Sequence, residues 1–291
     1  VVVVDDDEII KVHVHTEDPG NALQAGLEFG SLLTVKVENM KEQHKAAKEN
    51  EQEKQKHIKK KEKLAEAAPE EEIGFVAVAA GEGLSELFKD LGCSHVVSGG
   101  QSMNPSTDDI LEAVMATGAK TVFVLPNNKN IIMAAEQVVP LVGDRKVVVL
   151  PTRTIPQGLS AMLAYDPDLT ADGNKQLMLD AASGVMTGQV TFAARNSEFG
   201  STKIKEGEII ALENGKLCIT DKDDPVKAAY KLTKSMVRKD TSFITIIYGE
   251  DVSDEDAQAC LKQVQAKYGS SVDVTLVNGG QPIYYFIISV E

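Results

Sequence analysis

The chain has no tryptophan, only three cysteines among its 291 residues, and no long apolar run. Three widely spaced cysteines build neither a disulfide framework nor a Cys-x-x-Cys pair, which favours a reducing compartment and therefore the cytoplasm. No apolar stretch approaches the roughly 20 residues that a membrane-spanning helix requires. The sequence therefore predicts a cytoplasmic protein without a membrane span.

Basic residues are also scarce, since 30 Lys and Arg stand against 44 Asp and Glu and leave a net charge of −14. A nucleic-acid-binding protein needs a basic surface, and no basic stripe with interleaved aromatic residues is found here. The glycine-rich stretches Gly81–Gly83 and Ser98–Gln101 lack both the Lys-Ser/Thr of a phosphate loop and the Gly-x-Gly-x-x-Gly pattern. We therefore expect neither nucleic acid nor ATP to bind this chain.

The first residues, VVVVDDDE, include no methionine and no positively charged leader. A secretory signal would begin with such a basic region followed by an apolar stretch. We therefore expect that a preceding piece of the natural protein is missing.

What the sequence does contain is a strand–loop–helix pattern that repeats between residues 71 and 150. Four apolar runs are predicted strands: Ile73–Ala79, Cys93–Val97, Thr121–Leu125 and Lys146–Leu150. Alternation of strands and helices is typical of an α/β fold with a parallel sheet. The polar loops Ser98–Ser106 and Asn127–Asn130 follow two of these strands, and ligands or partners meet such sheets at that edge.

The composition divides the chain into four predicted segments. Residues 1–38, with two β-rich stretches joined by Asp5–Asp7, are predicted to be the tail of a domain. Residues 39–70 are almost entirely Lys, Glu, Gln and Ala, which predicts a charged linker helix. Residues 71–185 and 186–291 are predicted to form two α/β lobes.

Several long stretches resemble the C-terminal part of the FakA family of fatty acid kinases, which is related to the dihydroxyacetone kinases. They are KVHVHTEDPG from Lys11, SGGQSMNPSTDDIL from Ser98, LPTRTIPQGLSAM from Leu150 and GGQPIYYFIISVE from Gly279. The resemblance covers essentially the whole chain and implies the end of a middle domain followed by a complete C-terminal domain. The strand–SGGQSMNPST–helix layout is also similar to the DegV-like proteins, which implies a two-lobed DegV-like fold with a parallel-type sheet.

The resemblance carries functional expectations. Family members phosphorylate a fatty acid held by a separate DegV-like carrier protein (FakB) and make acyl phosphate for phospholipid synthesis. Their ATP- and Mg-binding kinase domain has no counterpart in this sequence, so the chain alone is expected to be inactive, with no catalytic residue of its own. The resemblance implies that this region binds the carrier and that the middle domain forms a homodimer.

The candidate partner-binding residues are polar and fall after predicted strands. They are Ser98, Gln101, Asn104, Asn127, Asn128, Lys129, Asn130, Arg153 and Gln281. No nucleophile–His–acid set accompanies them, which favours binding over catalysis, although Asn- and Gly-rich loops are often only turns. Loop-edge polar residues contribute little to a core, so alanine substitutions at Asn127 with Lys129, or at Gln281, are expected to weaken carrier binding without unfolding.

His13 and His15 lie two apart on a predicted strand, so both imidazoles project from one face, roughly 7 Å apart. Zinc normally takes at least three protein ligands, and two histidines on a wet strand face are more often surface residues. In the family, this His-x-His joins an upstream Cys in a zinc-type site. The resemblance therefore implies an incomplete zinc site here, expected to be empty or poorly occupied.

The three cysteines, Cys93, Cys218 and Cys260, lie beside apolar residues and are interpreted as core or near-core thiols without a catalytic role. A function of a different class stays open from the residues alone. The chain could be a small-ligand-binding protein of DegV-like fold, with its own pocket for a fatty acid or a phosphate.

Overall fold

The computed structural model describes residues 2–6, 9–13, 16, 18–33, 35, 64–100, 104–199 and 202–291. The chain divides into two compact units, residues 1–62 and 63–291. In the first unit, strand β1 (Val2–Asp6) pairs antiparallel with β2 (Ile9–His13). The two predicted β-rich stretches therefore form a hairpin, but Asp5 and Asp6, which were assigned to the connection, belong to β1. A helix, Pro19–Leu27, follows, and the Asp18 side chain caps it by accepting from the Asn21 backbone N–H at 3.3 Å.

The first lobe of the second unit is built on a four-stranded sheet in which all neighbouring strands are parallel. Its strands are β3 (Glu71–Ala79), β4 (His95–Ser98), β5 (Ala119–Leu125) and β6 (Lys146–Val149), in the order β4-β3-β5-β6. Its helices are Glu82–Asp90, Thr107–Ala116 and Ile132–Val138, with a 3-10 turn at Val139–Leu141. The continuous apolar runs of β3 and β5 are buried on both faces, as parallel strands are. The predicted parallel sheet is confirmed.

The second lobe is built on a six-stranded mixed sheet. Its strands are β7 (Met186–Phe192), β10 (Ile209–Glu213), β11 (Lys216–Asp221), β12 (Phe243–Tyr248), β13 (Asp273–Asn278) and β14 (Phe286–Val290). Their order across the sheet is β11-β10-β7-β14-β12-β13. A small separate hairpin joins β8 (Ser197–Phe199) and β9 (Thr202–Ile204). Among the described strands of this sheet, β12 and β13 are the only neighbours that run parallel, and the other neighbouring pairs are antiparallel.

Two helices, Ile155–Leu163 and Ala171–Gly184, connect the sheets and pack in the same core cluster as both of them. Helices Pro225–Met236 and Asp254–Tyr268 pack with the mixed sheet in a second cluster. Strand alternation explains this layering, because Ile287 belongs to the shared cluster whereas Ile288 belongs to the second one. Within the ranges given above, no helix is both long and apolar enough to cross a membrane.

The predicted linker helix needs a correction where it can be compared with the structure. Residues 39–63 lie outside the described residues, and residues 64–70 are not helical. The residue before Pro69 is disfavoured in the helical region, and the chain there bonds to the first lobe instead. Ala67 N donates to Met115 O at 3.0 Å, and Arg145 Nη2 donates to Ala67 O at 2.9 Å.

The interpretation of the cysteines is right for two of the three. Cys93 and Cys260 are buried, whereas Cys218 is exposed. Cys218 lies on β11, the outer strand of the mixed sheet, where one face of the strand meets solvent. The apolar neighbours of Cys218 in the sequence point to the other face, so adjacency did not imply burial.

Candidate functional site

The candidate site lies at the carboxyl edge of the parallel sheet, where the chain leaves β4, β5 and β6. The loops after these strands face the turn that joins β13 and β14 of the second lobe. Together they line one interlobe cleft of about 70 Å³. Its polar lining includes Asn127, Asn128, Arg153, Gln189 and Gln281.

Asn127 is buried, and its side chain forms hydrogen bonds to two other segments of the first lobe. Its backbone is left-handed, with φ of 55°, a conformation that asparagine tolerates better than most residues. Its Nδ2 donates to Val78 O at 3.0 Å, and Thr152 Oγ1 donates to its Oδ1 at 2.8 Å. A Cβ at position 158 would collide with the Asn127 side chain. The helix Ile155–Leu163 can therefore pack this close to Asn127 only because Gly158 has no side chain.

The remaining predicted residues of these loops differ in exposure. Asn128 is buried and its Oδ1 accepts from Asn130 N at 2.9 Å, which makes a local turn. Ser98, Asn104, Lys129, Asn130 and Arg153 are exposed, and Gln101 lies outside the described residues. The structure thus leaves five of the predicted partner-binding residues accessible on this edge.

The helix after Asn104 begins with a reciprocal cap that holds the loop in place. Ser106 Oγ accepts from Asp109 N at 3.1 Å, and Ser106 N donates to Asp109 Oδ2 at 2.9 Å. Asp108 and Asp109 also place negative charge in the first turn, where the helix dipole favours it. The cap therefore fixes where the exposed loop ends and the helix Thr107–Ala116 begins.

Gln281 is buried rather than exposed on an edge loop. Its Nε2 donates to Ile247 O and Tyr284 O, each at 3.3 Å. Its Oε1 has no hydrogen-bond partner among the described residues. Both the Gln281 and Asn127 side chains bond to buried backbone carbonyls, so alanine at either position is expected to cost stability, and that such variants weaken carrier binding without unfolding stays a prediction.

Two glycine turns interlock the lobes beside the cleft. Leu84 N donates to Gly279 O at 3.1 Å across the lobe boundary. A Cβ at Gly81 would collide with Gly279 O, and one at Gly83 would collide with Asn278 O. The sequence analysis did not predict this contact; the recurrence of Gly-x-Gly and Gly-Gly after strands is the sequence signal that could have indicated a close approach of backbones.

A wider, shallower opening of about 490 Å³ adjoins the cleft. Its lining includes Ser98 with two acids, Glu82 and Glu250, one from each lobe. Arg153 is the sole charged residue among the described residues that line the narrower cleft. The edge therefore presents a cationic cleft next to an acidic opening.

Nucleophilic and metal chemistry gain little support from the described residues. Burial raises the pKa of the Cys93 and Cys260 thiols to about 12, so neither is a thiolate nucleophile at neutral pH. In the described part of the chain, no group of three or more His, Cys, Asp or Glu could hold a metal ion. His15 and the side chain of His13 lie outside what is described, so the zinc site stays a prediction.

Arg145 is a structural residue that the sequence pattern did not reveal. It is buried and directly precedes strand β6. Its guanidinium donates to the carbonyls of Val114 and Met115, each at 3.2 Å, and pairs with Asp144 at 2.7 Å. These carbonyls belong to the end of the helix Thr107–Ala116, where cations are favoured. A lone Asp-Arg pair after Gly143 gives no sequence signal of this role.

Comparison with protein families matches the chain along most of its length. Residues 74–291 match the C-terminal domain of the FakA-like fatty acid kinase family. Residues 1–47 match the middle domain of the same family.

Comparison with curated proteins finds relatives that are longer than this chain. Protein YloV of Bacillus subtilis (strain 168) is 42% identical over 294 residues, which cover 100% of this chain and 51% of that protein. An uncharacterized protein, SH1689 of Staphylococcus haemolyticus (strain JCSC1435), is 41% identical over 297 residues with the same coverage. The chain therefore spans about half the length of the curated relatives it matches.

Comparison with solved structures finds DegV family proteins. Cg2579 from Corynebacterium glutamicum gives a TM-score of 0.55 at 13% identity, covering 75% of this chain and 96% of that protein. A fatty-acid-binding DegV family protein from Thermus thermophilus gives 0.52 at 13% identity, covering 76% and 99%. At this identity the likeness shows a shared fold, and the predicted two-lobed DegV-like α/β fold is confirmed.

Proposed function

Because the chain belongs to the FakA-like fatty acid kinase family, we propose that it is the region of a fatty acid kinase that binds the carrier. The carrier is a separate DegV-like protein (FakB) that presents the fatty acid for phosphorylation to acyl phosphate, a precursor for phospholipid synthesis. ATP and Mg²⁺ are assigned to the part of the relatives that this chain does not cover. The chain alone is then a recognition module without kinase activity.

The observation that carries the proposal is a fold shared with a fatty-acid-binding protein combined with a narrow interlobe cleft too small to enclose a fatty acid. The Thermus thermophilus relative in fold is a fatty-acid-binding protein. Pockets that hold ligands of drug size have volumes of roughly 300–1,000 Å³. The interlobe cleft here measures about 70 Å³, and the interlocked glycine turns hold its walls together. The adjoining opening of about 490 Å³ is open to solvent and lined by Glu82 and Glu250, whose charges disfavour a fatty acid carboxylate. The lobes are thus better suited to present loops to a partner than to enclose an acyl chain.

The exposed polar loops supply the contact surface for the carrier. Ser98, Asn104, Lys129, Asn130 and Arg153 all reach solvent at one edge of the sheet. The buried Asn127 and Gln281 act differently: they hold the loops in shape without touching the partner. In this proposal Lys129 and Arg153 also provide local positive charge on an otherwise acidic chain, which favours encounter with an acidic patch.

The first unit supports the proposed homodimer through its apolar surface. Phe29 is 90% exposed and Leu33 is 76% exposed. They lie four residues apart in the sequence, and large apolar side chains exposed this close together are candidates for an interface. A second copy of the chain is the partner that the family resemblance implies for this surface.

Calorimetric titration of the chain with its DegV-like carrier tests the proposal. We expect saturable binding that weakens by about tenfold when Lys129 and Arg153 are both changed to alanine, since rim charges and their hydrogen bonds contribute to encounter and specificity. Lys216→Ala is the matched control, because Lys216 is an exposed lysine on β11 that does not line the cleft.

Two results would oppose the proposal. Absence of heat and of complex formation at high micromolar concentrations would remove carrier binding altogether. Copurification of a fatty acid with the chain itself would instead favour the small-ligand alternative, in which this chain is the lipid-binding protein.

A further inference from the structure

The helix Ile132–Val138, which follows β5, carries an exposed stripe with apolar side chains. The 3-10 turn Val139–Leu141 continues this helix. Met133 in its first turn is 69% exposed, and Leu141 at its far end is 59% exposed. Residues four, seven and eight positions apart share one face of a helix. The exposed residues on the face of Met133 form the outer strip, which consists of Met133, Gln137, Pro140 and Leu141.

The outer strip begins beside the exposed residues of the loop after β5. Lys129 and Asn130 precede Met133 by four and three positions. The chain already turns tightly before the helix, because Ile131 N donates to Asn128 O at 3.0 Å. Side chains three or four positions apart in a helical turn are neighbours. Met133 therefore lies next to two of the candidate carrier-binding residues.

A hydrogen bond joins the outer strip to the exposed loop after β4. Gln137 Oε1 accepts from Thr107 Oγ1 at 3.0 Å. Thr107 is the first residue of the helix Thr107–Ala116 and comes three residues after Asn104. Met133 lies one helical turn before Gln137. The strip therefore forms one continuous surface with the loops on both sides of it.

The candidate carrier-binding surface has no apolar centre without the outer strip. Protein interfaces combine an apolar core, where methionine and aromatic residues are enriched, with a polar rim. The exposed candidates at the edge of the sheet are all polar or charged: Ser98, Asn104, Lys129, Asn130 and Arg153. One side of a standard interface covers about 800 Å², which is wide enough for these loops and the adjoining helix.

Position, rather than exposure alone, singles out Met133. Leu163 is equally exposed, at 70%, and it ends the helix Ile155–Leu163. That helix begins at the cleft, where Ile155 belongs to the lining, and leads away from it. The residues three, four and seven positions before Leu163 are Ser160, Leu159 and Pro156, and all three are buried. No exposed stripe of this described helix therefore connects Leu163 with the carboxyl edge.

We propose that the outer strip is the apolar part of the surface that binds the DegV-like carrier, with Met133 as its anchor. The inference rests on the proposed carrier-binding function and adds to it the contact that the polar loops lack. The flexible thioether of methionine adapts to an irregular apolar surface. The carrier then presents a shallow apolar depression to Met133, and polar or acidic groups beside it face Lys129 and Asn130.

Calorimetric titration of the 291-residue chain with the fatty-acid-loaded carrier tests the inference. We expect Met133→Ala to weaken binding by about tenfold, as truncation of a central interface residue does. Met133→Leu should bind within about threefold of the unchanged chain, because it keeps the apolar volume. Raised salt should shrink the effect of Lys129→Ala and leave the effect of Met133→Ala, since salt screens charge and not apolar contact.

Leu163→Ala is the matched control, because Leu163 has the same exposure as Met133 but lies away from the edge. It should bind the carrier within about twofold of the unchanged chain, since a residue outside the interface contributes little to binding. Both side chains are exposed, so neither alanine variant should change the urea midpoint of unfolding.

The outcomes separate this inference from the proposed function. If the unchanged chain binds the carrier and Met133→Ala binds it equally well, or if Leu163→Ala weakens binding as much, the inference is overturned while carrier binding stands. If Met133→Ala abolishes self-association of the chain in sedimentation and leaves carrier binding intact, the strip belongs to a contact between two copies. If the unchanged chain does not bind the carrier, the proposed function fails and the inference fails with it.

Discussion

Replacing Arg145 by methionine tests how the chain enters the first lobe. The Arg145 side chain is 1% exposed, and it donates to the main-chain carbonyl oxygens of four residues. These are Val114, Met115, Thr117 and Ala67. Methionine keeps the length and apolar stem of arginine but removes all five N–H donors. The substitution therefore isolates the hydrogen bonds from the packing.

The expected loss follows from which carbonyls keep another donor. Val114 O still accepts from Thr117 N, Met115 O from Ala67 N, and Thr117 O from Ala119 N. Among the described residues, the Ala67 carbonyl alone then has no donor left. A hydrogen bond to a charged group contributes about 1.5–3 kcal/mol, and leaving the partly buried Ala67 carbonyl without a donor adds a cost at the low end of about 1–3 kcal/mol. We expect Arg145→Met to lower the free energy of unfolding by about 3 kcal/mol, well below the sum over four separate bonds.

Urea unfolding measures this loss, and limited proteolysis reports where the chain loosens. Cleavage should increase within residues 64–70, because Arg145 holds Ala67. Asp144→Asn is the control, since the Asp144 side chain is 47% exposed and an exposed ion pair contributes little to stability. The reasoning would be refuted if Arg145→Met were as stable as the unchanged chain, or if its loss in free energy of unfolding were no larger than that of Asp144→Asn.

The same control has a pH signature. The hydrogen bond from Arg145, and then its charge, hold the pKa of the Asp144 carboxyl below its usual 3.8. A carboxyl with a lowered folded-state pKa stabilises above its usual pKa, and that stability is lost as the pH falls through the folded value. Asp144→Asn should therefore lower stability slightly at neutral pH and reduce the acid-induced loss by the same small amount, so that the variant and the unchanged chain converge in stability at low pH.

Two further predictions concern the lobe interlock and the thiols. Gly83→Ala should lower the free energy of unfolding, measured by urea denaturation, by about 1–3 kcal/mol, because its Cβ would collide with a carbonyl of the other lobe. Gly143→Ala is the control: its Cβ would meet open space, so the free energy of unfolding should change by less than about 0.5 kcal/mol. Equal effects would mean that the lobes yield freely at the glycine turn. A thiol reagent at pH 8 should label Cys218 in the native chain and leave Cys93 and Cys260 unlabelled until unfolding, since burial raises both of their pKa values to about 12. Rapid labelling of all three thiols in the native chain would contradict the burial of the two core cysteines.

Local pattern was enough to predict the sheets and their edge. The apolar runs of β3 and β5 could only be buried strands, and the polar loops after them had to lie at the carboxyl edge. Asn214 and Gly215 both take positive φ, 48° and 79°, which is the geometry that an Asn-Gly hairpin turn requires. These features depend on neighbours in sequence, so the sequence carries them directly.

The role of individual polar residues could not be predicted in this way. Asn127 and Gln281 were assigned to a binding surface, but the burial of Asn127 depends on Val78 and Thr152, which lie far away in the sequence. The Arg145 anchor likewise depends on carbonyls of distant loops. Hydrogen-bond partners brought together by the fold decide whether a polar side chain binds a partner or supports the loop beneath it.

Native mass spectrometry of this chain mixed with its fatty-acid-loaded DegV-like carrier tests the central claim most directly. It reports the complex and the location of the lipid in one measurement. We predict a mass equal to this chain plus the carrier plus one fatty acid, with no lipid on this chain alone. Separate masses for the two proteins at micromolar concentration, or a fatty acid bound to this chain without the carrier, would contradict the proposed carrier-binding function.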